Sequence, residues 1–311
     1  MNSADEVLSR IIAWAQREEP IRALILVGSR AGRKPTDELA DFDVSVFTQT
    51  HAPYTQNDQW LTEIGPVWVY IPEKYYRRGE EIPTRLVIFQ DGVKVDFAFL
   101  RVAVLNELAS SDELAIGYRV LLDKDGRTAR LSAPTFRGSR PSQPTEEDFT
   151  RLVHEFWFEA YHVAKYLKRD ELWLVKFRDW TTKELLLKML EWHAQAKHHW
   201  DYDTYHLGKQ MRSWIEAPLW ESLHGAFAHF DANDSWQALL TTMELFRRVA
   251  IETAALLDFA YPQDVDQNIT EFIWQLRAAP PPSPDGLSHA TVSNRKRATT
   301  RHLPPSAMGE G

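Results

Sequence analysis

The chain has 311 residues, 44% of them hydrophobic, which is enough for a sizeable core and, at this length, for two domains. The absence of cysteine excludes disulfides, thiolate metal sites and a thiol nucleophile, and a formal net charge of −8 argues against a nucleic-acid partner. No apolar run approaches a membrane span and the first six residues lack the basic and apolar regions of a signal peptide, so the expectation is a cytoplasmic protein with no membrane partner.

In chain order, Ser3 and Glu6 form a capping pattern that opens an N-terminal helix expected to pack on a sheet. Residues 21–27 (IRALILV) are a short apolar, β-branched run that reads as a buried strand ending in a tight turn at Gly28. Gly28 permits close backbone approach to an anion, Ser29 adds a hydroxyl, and the N–H groups that follow could cradle a triphosphate. A dozen residues on, Asp41 and Asp43 stand two apart in a strand pattern, so both carboxylates point to one side while Phe42, Val44 and Val46 point to the other. Asp91-Gly92 favours a tight hairpin turn between residues 86–89 and 93–99. In the second strand Val93, Val95, Phe97 and Phe99 form an apolar face and leave Asp96 on the polar one. Three strand-borne carboxylates beside a Gly-Ser turn are what metal-assisted nucleotidyl transfer needs. Hard oxygen ligands suit Mg²⁺, and two such ions could activate an attacking hydroxyl and stabilise the leaving oxygen.

Residues 132–145 are rich in Pro, Ser, Arg and Gly and read as a linker, which sets the domains at 1–135 and 146–279 with the linker over 136–145. Thr145 with Asp148 is a helix-capping pattern, and Leu152, Phe156, Ala160, Val163 and Leu167 trace an apolar stripe. Further amphipathic stretches near 171–196, 205–216, 218–229, 234–260 and 265–276 predict a helical bundle. From 280 to 311 a Pro-rich, aperiodic segment reads as a disordered tail. The four histidines at 193, 198, 199 and 206 lack the spacing of a zinc site.

The order Gly28-Ser29, Asp41-x-Asp43, Asp96 resembles the nucleotidyltransferase superfamily. Five blocks narrow the resemblance: 21–30 (IRALILVGSR) with 41–44 (DFDV), 155–158 (EFWF), 162–172 (HVAKYLKRDEL), 185–192 (LLLKMLEW) and 259–262 (FAYP). Over residues 3–276 they resemble the streptomycin-type aminoglycoside 6-adenylyltransferases. The resemblance implies an α+β chain in which a nucleotidyltransferase domain, a mixed β-sheet with flanking helices, precedes a helical substrate-binding domain. The implied reaction transfers AMP from ATP to a streptomycin hydroxyl with release of pyrophosphate. ATP and Mg²⁺ would then use Gly28, Ser29, Arg30, Asp41, Asp43 and Asp96. The same catalytic core elsewhere adenylylates proteins, as in toxin–antitoxin pairs, or extends RNA ends; a different small molecule is a further alternative acceptor. RNA work would favour a basic groove, which this sequence does not display.

The transfer also needs a base. Glu155, Glu159, His162 and Tyr166 share one polar helix face. Related enzymes are expected to use a glutamate from this region, so Glu155 is the candidate general base, its pKa raised by partial burial, with Glu159 as the alternative and a further drug contact. Lys176 and Lys209 could balance triphosphate charge. Trp173, Asp179 and Trp180 offer aromatic faces and a carboxylate to guanidinium groups, although packing in the core is the ordinary role of tryptophan in a bundle. Residues 146–279 carry a net −8, against −2 for residues 1–145 and +2 for 280–311, a bias that suits a cationic drug.

Overall fold

The computed structural model describes residues 4–32, 37–136 and 141–280. The expected Ser3 cap, residues 137–140 of the expected linker and residues 281–311 of the expected tail lie outside them. The chain divides into two compact units, Met1–Ser139 and Arg140–Gly311.

The first unit runs α1 (Ala4–Arg17), β1 (Ile21–Val27), β2 (Phe42–Thr48), two single turns α2 (Ala52–Thr55) and α3 (Leu61–Ile64), β3 (Val67–Arg77), β4 (Glu80–Phe89), β5 (Lys94–Arg101), α4 (Val104–Leu108) and β6 (Arg119–Asp123). Among the described residues, six strands form one mixed sheet in the order β3-β4-β5-β2-β1-β6. Only the β2–β5 pair is parallel; the other neighbours are antiparallel. The period-two alternation sorts the strands onto two cores. Leu24, Leu26, Val44, Val46, Val95, Phe97 and Phe99 pack with Val7, Ile11 and Trp14 of α1 on one face. Ala23, Ile25, Phe47 and Leu100 pack with Val104, Leu105 and Leu108 of α4 on the other. Trp14 stacks on Trp60, ring centroids 4.6 Å apart. Between β4 and β5, Asp91 (φ 68°) and Gly92 (φ 79°) take the left-handed conformations that the dipeptide favours. The Phe89 N–H donates to the Val93 carbonyl across that turn at 2.9 Å.

The second unit is helical: α5 (Glu146–Lys168), α6 (Leu172–Lys197), α7 (Met211–Trp214), α8 (Ala217–Leu223), α9 (Ala232–Leu257) and α10 (Gln263–Ala278). The capping box forms as the sequence predicts, with the Asp148 N–H donating to Thr145 Oγ1 at 3.1 Å and the Thr145 N–H to Asp148 Oδ2 at 3.2 Å. Leu152, Phe156, Ala160, Val163 and Leu167 are all buried, and Phe156 stacks on Phe246 of α9 with centroids 3.6 Å apart. Two predicted helices are shorter than their periodicity suggests. The 205–216 stretch contracts to one turn because Tyr205, Leu207, Gly208 and Gln210 all have φ between 51° and 71°. The 218–229 stretch stops at Leu223, just ahead of Gly225, a residue that weakens a helix. Among the described residues no helix is long and apolar enough to cross a membrane.

Candidate active site

The three carboxylates lie where β2 and β5 begin. In the parallel register Asp43 is the partner of Asp96 and Phe42 the partner of Val95, while Val27, at the end of β1, is the antiparallel partner of Asp43. Asp41 precedes β2 by one residue. Its loop is held by Arg30, whose Nε donates to the Ala40 carbonyl at 2.7 Å and whose Nη2 donates to the Glu38 carbonyl at 3.1 Å. The guanidinium also lies 4.2 Å from the Phe42 ring centre. Arg30, expected beside the nucleotide, is thus engaged in holding the approach to Asp41.

Gly28 is required twice over. Its φ of 69° and ψ of −155° fall in a region essentially closed to L side chains. A β-carbon there would also lie 2.0 Å from Asp43 Oδ2. The turn that follows, Ser29–Ala31, leaves Ser29 exposed. Behind it stands Gly117 (φ 148°), where a β-carbon would come within 2.6 Å of the Ala31 carbonyl oxygen. No motif marks Gly117 as part of the site; only its close approach to the turn does.

Lys94 was not among the sequence candidates and stands at the centre. Its Nζ donates to Asp41 Oδ2 at 2.6 Å and to Asp96 Oδ2 at 2.9 Å. Burial disfavours the ammonium, yet hydrogen bonds from Lys94 to Asp41 and Asp96 and their charges outweigh it and raise its pKa above the ordinary lysine value. Asp96 Oδ1 is buried and has no hydrogen-bond partner among the described residues. Among those residues, no group of three or more His, Asp or Glu is gathered closely enough to hold a metal ion.

In the helical unit the candidates divide. Glu155 is exposed, beside an open depression lined by Glu146, Glu147, Thr150, Arg151 and His154. The partial burial expected for it is not found, because α5 turns Leu152, Val153, Phe156 and Trp157 inward and Glu155 outward. Glu159 is the buried one and pairs with Arg178 of α6 at 3.2 Å. Sequence reading missed Arg178, which no helical spacing links to Glu159. Asp179 accepts from the buried Lys183 at 2.6 Å. Lys176 donates to the Ala228 carbonyl at 3.1 Å and to Ser235 Oγ at 2.9 Å, while Lys209 is exposed. Trp173 and Trp180 are 82% and 61% exposed, so neither is the core residue that tryptophan in a bundle ordinarily is. Trp180 Nε1 donates to Glu184 at 3.0 Å.

The family model for streptomycin adenylyltransferase matches residues 1–276. The chain is 29% identical to the aminoglycoside 6-adenylyltransferase of Campylobacter jejuni, over 88% of this chain and 95% of that one. It is 28% identical to the enzyme of the same name from Bacillus subtilis (strain 168), over 88% and 97%. A crystal structure of an aminoglycoside 6-adenyltransferase from Bacillus subtilis is similar at 23% identity, 90% and 100% coverage and a TM-score of 0.44. With all of the first unit and residues 140–276 of the second inside the match, the chain belongs to the streptomycin adenylyltransferase family and is an adenylyltransferase.

Proposed function

We propose that the chain transfers AMP from ATP to a hydroxyl of a streptomycin-like aminoglycoside, releasing pyrophosphate and so conferring resistance. The observation that carries this reading is the pairing of Asp43 with Asp96 against the Gly28 turn, in a chain whose relatives are named aminoglycoside 6-adenylyltransferases. In the reaction the acceptor oxygen forms a bond to the α-phosphorus, the bond from that phosphorus to the pyrophosphate oxygen breaks, and the hydroxyl proton passes to a base. Ser29 and the backbone of its turn receive the phosphates. Glu155, an exposed carboxylate on α5, is the proposed base, and the acidic surplus of residues 146–279 favours a polycationic acceptor.

The donor chemistry at Asp41, Asp43 and Asp96 fits a divalent ion: hard carboxylate oxygens, one of them Asp96 Oδ1, buried and without a hydrogen-bond partner among the described residues. Magnesium held by these residues would offset the negative charge gathered around the transferred phosphorus. The test is pyrophosphate release from purified protein with ATP, Mg²⁺ and a panel of aminoglycosides. Release that needs streptomycin supports the reading. Release with host protein instead of any drug, or none with any drug while ATP still binds, overturns it.

A further inference from the structure

Two carboxylates that share a site repel each other unless a cation lies between them. Here the cation is part of the chain. Lys94 stands two residues before Asp96 on β5, so period-two alternation puts its side chain on the same face. The β2–β5 register brings Asp41 alongside it, and the ammonium bonds to both carboxylates at 2.6 and 2.9 Å. It takes Asp96 Oδ2 and leaves Asp96 Oδ1 buried without a partner among the described residues, so that Asp96 is half engaged.

We infer that Lys94 is a built-in competitor of the divalent ion: it holds Asp41 and Asp96 in place before the nucleotide arrives and must give up both when a metal takes them. The long, flexible lysine stem suits a group that has to leave. A bare divalent ion must displace the ammonium using carboxylate ligands alone, whereas an ion carried on ATP brings phosphate oxygens and also offers the released ammonium a new anion. The metal therefore enters with the nucleotide, and the carboxylates are kept from collecting free ions in its absence. The inference rests on the reading of Asp41, Asp43 and Asp96 as the metal carboxylates and asks nothing of the acceptor.

The experiment is titration of the full chain with Mn²⁺, an oxygen-seeking paramagnetic ion, followed by electron paramagnetic resonance without nucleotide and again with a non-hydrolysable ATP analogue. Wild type should bind Mn²⁺ weakly alone and well with the analogue. Lys94→Met should bind Mn²⁺ alone at least about tenfold more tightly, and Lys94→Arg should stay near wild type. In thermal melts Mn²⁺ alone should raise the midpoint of Lys94→Met and leave that of wild type unmoved. If the methionine variant folds poorly, Lys94→Gln keeps a polar tip without the charge and should show the same gain. A lysine with a purely structural role would give neutral variants that bind Mn²⁺ no better than wild type, and that result overturns the inference. Wild type that binds no Mn²⁺ even with the analogue would remove the metal reading itself. Absence of turnover with every aminoglycoside, with these titrations as expected, would remove only the acceptor.

Discussion

The two units carry their candidate chemistry in different ways. In the sheet unit the carboxylates sit on neighbouring strands whose register fixes which residues are side by side, and each is within reach of a glycine, a lysine or another carboxylate. In the helical unit the candidate carboxylates lie along helices and each has its own cation: Glu159 pairs with Arg178 of the next helix, Asp179 with Lys183 one turn on along the same helix. Sheet register therefore gathers the candidate carboxylates of one unit around a single lysine, whereas in the other unit each candidate carboxylate has a separate cation.

The sharpest way to break that contrast is to remove one strand carboxylate. Asp43→Ala should lower kcat by roughly 10³-fold or more with the melting curve little changed, since several kcal/mol of charge stabilisation goes with it. Retained turnover would dissolve the site assigned to the sheet unit. Next comes Glu155→Gln, expected to cost about 10²-fold or more in turnover at saturating drug, the usual size of a general-base contribution. Near-normal turnover would leave the helical unit without its base and show that exposure on α5 reflects a solvated face. Phe156→Ala acts on stability instead. Loss of a fully buried ring stacked on Phe246 should cost about 3–5 kcal/mol in denaturant unfolding. The smallest effect belongs to Thr145→Ala, about 1 kcal/mol for a lost N-cap. Hydrogen bonds from Thr145 to Asp148 hold that carboxyl below the ordinary aspartate range. The folded-state pKa is the lower one, so this contribution is full above the unfolded pKa and fades as pH falls through the folded value. The gap between wild type and Thr145→Ala should accordingly narrow in acid, the bond from the Asp148 N–H to Thr145 Oγ1 being independent of pH.

What the sequence disclosed follows the same line. The turn at Gly28 and the strands that carry Asp43 and Asp96 were legible because turn chemistry and period-two alternation are local, and the capping box and the α5 stripe were legible for the same reason. Lys94 was within reach of that logic, since it precedes Asp96 by two residues on the face already assigned to the carboxylates. It was passed over because lysines are ordinarily solvated and nothing local shows that β2, with Asp41 ahead of it, runs alongside. Gly117 was out of reach: it belongs to the site only through the approach of one loop to another. The predicted 205–216 helix failed because hydrophobic spacing is blind to four successive departures into left-handed backbone, only one of them at a glycine. Trp173 and Trp180 were weighed between drug contact and core packing, and residue type alone cannot say which way a helix faces.

The contact between Gly28 and Asp43 also governs how this protein can vary. A methyl group at 28 needs the space that the Asp43 carboxylate fills, so a smaller residue at 43 would relieve the crowding only by removing the carboxylate, and the backbone at 28 would still be strained. No compensating second substitution restores both. If Asp43 is one of the metal carboxylates, a library selected for drug survival should recover neither position changed, alone or together, because the double replacement that relieves the crowding also removes the carboxylate.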